Sequence, residues 1–207
     1  QRFVVQHGAV EAVDEQPRTS MGSSSTLSDF LLWGVENYAS EHMGVVLWDH
    51  GGGSVTGICF DERENYDSLS LAELDEALYT YYEQRGRRFD FIGFDACLMG
   101  TVETANILAT YADYMYGSEE TEPGSGWDYT AIGDFLASNP DADGLMLGKV
   151  VCDSFLAACK AQNDDTLTTL SVIDLGNIDT LLNAFNIFAS GMYNVSSNTA
   201  VRAEIIR

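Results

Sequence analysis

The feature that most constrains the fold is a series of short, continuous apolar runs set between longer stretches with helical spacing. Residues 43–49 (MGVVLWD), 89–95 (FDFIGFD), 112–118 (ADYMYGS) and 168–175 each read as a buried strand. Runs like these, without alternating polar residues, belong to strands covered on both faces. Between them, residues 26–40 carry Leu27, Phe30, Leu31, Trp33, Val35 and Tyr38 at helical spacing. Ser70-Leu71-Ala72-Glu73 is a capping box that opens a helix to about Gln84, and Arg85-Gly86-Arg87-Arg88 ends it. Further helices are predicted from Ala96 to about Tyr111 and over 130–138, 144–162 and 177–193. The alternation implies an α/β fold with a mainly parallel sheet between helices. Residues 1–6 and 54–60 are shorter candidate strands, and 9–28 and 61–68 read as polar loops. No repeat and no domain boundary interrupts the pattern, so residues 1–207 are expected to form one domain.

Charge narrows the partners. Against 10 Lys and Arg stand 32 Asp and Glu, a net charge of −22. Such a chain repels phosphate backbones and anionic lipid surfaces and attracts cations, which argues against nucleic acid and membranes as partners. No apolar run reaches the ~20 residues of a membrane span. The sequence opens on a strand-like segment without Met, and no signal peptide is visible. The four cysteines, Cys59, Cys97, Cys152 and Cys159, are too sparse for a disulfide scaffold. Cys152 and Cys159, two helical turns apart, fit one buried helix face.

The chemistry gathers at two strand ends. His50-Gly51-Gly52-Gly53 follows the first apolar run, and Ala96-Cys97-Leu98-Met99 follows the second. In parallel α/β sheets, functional groups collect beyond the carboxyl ends of the strands. A cysteine at the start of a helix gains thiolate character from the helix dipole, and a neighbouring histidine can act as its base. The amides of Gly51 and Cys97 can then hold an oxyanion. Taken alone, a cysteine there is more often a small buried hydrophobe, and a histidine in a glycine-rich turn is more often plain loop. The pairing of the two strand ends gives the functional reading its weight.

The segments GVVLWDHGGG and FIGFDACLM resemble the clostripain family of cysteine peptidases, whose clan also holds caspases, legumains, gingipains and separase. The resemblance extends over about residues 26–135 and includes SEETEPGSGWDY. It implies a caspase-like α/β/α sandwich and peptide-bond hydrolysis through an acyl-enzyme, with Cys97 as nucleophile and His50 as general acid and base. It also implies preference for Arg or Lys at P1, the residue before the cut, with Asp95 in the S1 pocket; Glu120 is chosen as a second acidic wall among Glu119, Glu120, Glu122 and Asp128. Trp127 either flanks the substrate or staples the loop to the core. Family zymogens are cut between the His and Cys segments, where the basic residues are Arg63, Arg85, Arg87 and Arg88; Arg63, in a loop expected to be exposed, is the expected self-cleavage point. The resemblance further implies family segments before residue 1 and after residue 207, a secreted or cell-surface bacterial setting, and an association with calcium. No cofactor is required by the residues themselves, and no D-x-D-x-D-G calcium loop or zinc-ligand spacing is present.

Other readings are weaker. HGGG also serves as an oxyanion motif in α/β-hydrolases, but those need a G-x-S-x-G elbow and a late histidine. The histidines here, His7, His42 and His50, all precede Cys97. The alternative that competes most directly is a catalytically inactive peptidase-like domain that binds basic peptides. A thiol transferase using Cys97 alone would give Asp95 no role.

Overall fold

The computed structural model describes residues 1–164, 168–196, 198 and 202–204. Its centre is a four-stranded sheet made of β3 (Gly44–Trp48), β6 (Phe89–Asp95), β7 (Ala112–Gly117) and β8 (Ser171–Asp174), in the order β3-β6-β7-β8. The first three strands are parallel, and β8 pairs antiparallel with β7. The helices α1 (Ser24–Asn37), α3 (Leu71–Arg85) and α4 (Val102–Leu108) pack on one face. The helices α5 (Tyr129–Ser138) and α6 (Gly144–Ala161) pack on the other. α7 (Ile178–Ser196) follows β8.

The pleat explains why β6 lacks an alternating pattern. Ile92 and Phe94 point into the layer with Leu27, Leu31, Leu74, Leu78 and Tyr81, while Phe91 points into the layer with Tyr116, Val151 and Phe155. Burial on both faces requires apolar residues at successive positions. Truncating Leu74 or Ile92, both without solvent exposure, to Ala costs about 2–5 kcal/mol. Of the stacked ring pairs, Tyr81 on Phe89 ties α3 to the sheet, and Phe91 on Tyr116 joins the neighbouring strands β6 and β7.

Several expectations are met locally. The capping box is complete: the Ser70 side chain accepts from the Glu73 amide, and the Glu73 carboxyl accepts from the Ser70 amide. Gly86 closes α3 in the left-handed conformation. Others are corrected. Residues 9–14 are not loop but strand β2 (Ala9–Asp14), paired with β1 (Arg2–Gln6) through a two-residue turn in which His7 and Gly8 both have positive φ. Residues 54–60 are split between a short helix, α2 (Gly53–Thr56), and strand β4 (Ile58–Asp61). The 61–68 segment holds a 3-10 turn, Glu62–Glu64, and strand β5 (Asp67–Leu69), which pairs with β4. Of the two α6 cysteines, Cys159 is fully buried and Cys152 is half-buried.

Candidate active site

Register brings the two strand ends together. β3 and β6 pair in parallel with Trp48 opposite Asp95, so two residues further along each chain stand His50 and Cys97. Gly51 packs so closely on the Cys97 turn that a Cβ on it would collide with the Cys97 carbonyl oxygen. Only glycine permits this approach. The His50–Gly53 segment folds back on β4: the Cys59 amide donates to the His50 carbonyl at 3.1 Å, and the Gly52 amide donates to the Gly57 carbonyl at 2.8 Å. Neither bond uses the Gly51 amide. His50 itself is exposed, and its backbone amide donates to the Asp49 carboxylate at 2.5 Å.

Cys97 does not begin a helix. Residues 96–99 form a turn, and α4 starts only at Val102, capped by the Thr101 side chain. The helix-dipole argument from sequence therefore does not apply, because its field fades within a turn of the helix end. Leu98 holds a positive φ of 64°, a strained conformation for a non-glycine residue. The turn is fastened instead to the loop after β7: the Leu98 amide donates to the Glu120 carbonyl at 3.0 Å, and the Gly100 amide donates to Ser118 at 2.7 Å. The Glu122 amide lies 3.3 Å from the Cys97 sulfur, placed to donate to it.

Close to the Cys97 turn lie two buried carboxyl groups, those of Asp95 and Glu122. Asp95, only 4% exposed, accepts from the Trp127 amide at 3.2 Å and the Tyr129 hydroxyl at 2.8 Å. Gly126, at a positive φ, packs directly on this carboxylate. The structure does not bring Glu120 to Asp95. The Glu120 side chain is exposed, and its main chain is tied to Ser118, Thr169 and Leu98. The acidic partner is Glu122, whose two carboxyl oxygens are sealed from solvent and have no hydrogen-bond partner. Burial, then the nearby Asp95, pushes the Glu122 carboxyl up to about 9. Burial and the bond to Asp95 likewise raise the Tyr129 hydroxyl. The other acidic loop residues have different partners. Glu119 accepts from Ser171, and Asp128 caps α5. Trp127 is buried against Gly93 and Tyr116, so it staples the loop to the core. Sequence reasoning grouped Glu122 with the solvated acidic residues.

Arg63 is exposed in the 3-10 turn, its amide held by the Asp61 side chain. Its carbonyl accepts from the Arg18 guanidinium at 3.1 Å, and Arg18 also pairs with Glu64 at 2.9 Å. The other basic residues between His50 and Cys97 are engaged elsewhere: Arg85 with Glu36, Arg87 with the Glu41 carbonyl, Arg88 with Asp113. No group of three or more His, Cys, Asp or Glu among the described residues is arranged to hold a metal ion. No helix among the described residues is long and apolar enough to cross a membrane.

A layered α/β sandwich with histidine and cysteine beyond adjacent parallel strands defines the caspase-like class. A model of the clostripain family, peptidase C11, matches residues 4–206, and the chain belongs to that family of cysteine peptidases. Clostripain of Hathewaya histolytica is 27% identical over 150 residues, which are 62% of this chain and 28% of clostripain. The fold is similar to that of a secreted C11 cysteine protease from Bacteroides thetaiotaomicron, solved with an irreversible peptide inhibitor, at a TM-score of 0.73. The two are 22% identical, over 88% of this chain and 54% of the other. An inactive zymogen C11 protease from Parabacteroides distasonis superposes at a TM-score of 0.64 and 22% identity, over 86% of this chain and 48% of its own. The chain thus spans about half the length of these structural relatives and just over a quarter of clostripain.

Proposed function

We propose that this chain is the catalytic region of a cysteine endopeptidase that cleaves after Arg or Lys. The observation that carries the reading is the parallel register that sets His50 beside Cys97, with the buried Asp95 carboxyl at the end of the same strand and the Glu122 amide 3.3 Å from the Cys97 sulfur. In this mechanism His50 takes the Cys97 proton, and the sulfur attacks the scissile carbonyl carbon. The amides of Gly51 and Cys97 stabilise the resulting oxyanion. His50 then gives its proton to the departing amine as the C–N bond breaks and a thioester forms. Water, deprotonated by His50, attacks the thioester and releases the carboxylic acid and the thiol. Asp95 and Glu122 form the S1 pocket, where buried carboxyls answer a guanidinium or ammonium. Substrates are therefore proteins or peptides with a basic P1 residue. The same specificity, applied to its own chain, makes Arg63 a self-cleavage point. An exported bacterial setting follows the secreted relative.

The test is hydrolysis of matched fluorogenic peptides with Arg, Lys, Asp or Leu at P1, with and without calcium. Cleavage is expected after Arg and Lys only, abolished in Cys97→Ala and reduced about 100-fold or more in Asp95→Asn, the scale of losing a buried ionic contact. Cleavage after Leu or Asp would discard the pocket assignment. A folded chain that binds Arg peptides without cutting them would favour a binding domain.

A further inference from the structure

Asp95 and Glu122 are two buried carboxyl groups without a counter-charge. The groups that face Glu122 are Asp95 on β6, Cys97 on the turn after β6, the Trp127 indole and Tyr129 hydroxyl around the start of α5, and Cys152 on α6. Each is acidic or neutral. Glu119, which also bears on Cys152, adds a further negative charge and is bonded to Ser171. Asp95 is satisfied by the Trp127 amide and the Tyr129 hydroxyl, whereas the Glu122 oxygens form no well-aligned hydrogen bond and have beside them only the Asp95 carboxyl and the equally unpartnered Trp127 indole nitrogen.

Two adjacent carboxylates sealed from water cannot both hold a charge cheaply, so one keeps its proton. The satisfied member is Asp95, which leaves the proton on Glu122. A guanidinium or ammonium entering the pocket supplies the missing donors and the missing charge, and removes the reason to hold that proton. Resting on the reading of this pocket as S1, we propose that substrate recognition is an exchange: the empty Asp95–Glu122 pair holds one proton, and a P1 Arg or Lys side chain expels it. The elevated Glu122 carboxyl agrees with this geometry.

The consequence is a pH-dependent affinity separate from catalysis. With the empty pocket titrating near 9, binding of an Arg side chain strengthens about tenfold per pH unit below that value, or about 100-fold from pH 6 to pH 8. The experiment uses the Cys97→Ala protein, which removes the thiol titration, and a tripeptide amide ending in Arg. The matching citrulline peptide is the neutral control. Calorimetry in buffers of different ionisation enthalpy gives both affinity and protons released. The expected result is release of close to one proton at pH 7 and the 100-fold gain for Arg only. Glu122→Gln should bind Arg like its parent at pH 6 and about 100-fold more weakly at pH 8. Equal Arg affinity at pH 6 and pH 8 with no proton released would overturn the exchange and leave the S1 reading standing. Arg binding no better than citrulline at any pH would overturn the S1 reading itself, and the exchange with it. The proton count on the parent protein decides the matter even if Glu122→Gln fails to fold.

Discussion

At the residue scale, Glu122 carries an energetic signature that folding itself exposes. Its carboxyl titrates near 4.5 when solvated and near 9 in the folded chain, raised by burial and by Asp95. The folded state therefore binds a proton that the unfolded state has lost between those values. Stability contributed at this site is fully present below about pH 4.5 and falls as pH rises to about 9. Urea unfolding at pH 5, 7 and 9 should show Glu122→Gln gaining stability relative to wild type as pH rises. A difference that stays constant with pH would refute the buried, protonated carboxyl. His50, Cys97 and Asp95 were legible in the sequence because each lies at or just beyond the end of a continuous apolar run. Glu122 was not legible. Nothing in TEPGSGWDY says which acid turns inward, and that choice is made by Trp127 docking against Gly93 and Tyr116.

At the element scale, β6 and β7 could be read because two-faced burial leaves continuous apolar runs, and the larger helices because of their spacing. β3 was found by the same apolar run, but it is an edge strand with Val46 and Trp48 exposed and is not buried on both faces as expected. The shorter elements could not. The hairpin of β1 and β2 exposes much of both faces, so its second strand carries no burial pattern. The Cys97 turn reads as a helix start because ACLM continues into VETANIL without a breaker other than Gly100, yet the bonds from Leu98 and Gly100 to the β7 loop hold it open. The 61–68 segment is charged but fastened. Arg18 holds the Arg63 carbonyl and the Glu64 carboxylate, Met21 donates its amide to Asp61, and Ser20 donates to Asp67. A protease site takes an extended segment, and the Arg63–Glu64 bond lies within a 3-10 turn, so this fastening must open before that bond can be cut. Arg18→Ala is expected to speed the appearance of two fragments several-fold, followed on denaturing gels, with none in Arg18→Ala/Cys97→Ala. An unchanged rate would mean that opening the 61–68 segment does not limit processing.

At the scale of the whole molecule, the −22 charge acts on encounter rather than on chemistry. A cationic peptide is drawn toward the protein over about a Debye length, roughly 10 Å at 0.1 M salt. kcat/KM for an Arg peptide of net positive charge should fall roughly threefold or more between 20 and 200 mM salt. A peptide with the same Arg at P1 but net negative charge should gain over that range. Identical salt profiles for both would show that global charge has no part in recognition. Family membership and fold were legible at this scale from HGGG and DAC together. The mixed sheet was only half legible, since nothing in the residues of β8 announces that it runs antiparallel to β7.

The central claim is that Cys97 is a nucleophile served by a pocket for basic side chains. The most direct measurement is covalent labelling with peptidyl acyloxymethyl ketones that differ only in P1, Arg against Leu, read by peptide mass mapping. The account predicts one adduct, on Cys97, formed by the Arg reagent at a rate that Asp95→Asn lowers by about 100-fold. Equal labelling by both reagents, or an adduct on Cys59, Cys152 or Cys159 in place of Cys97, would contradict it.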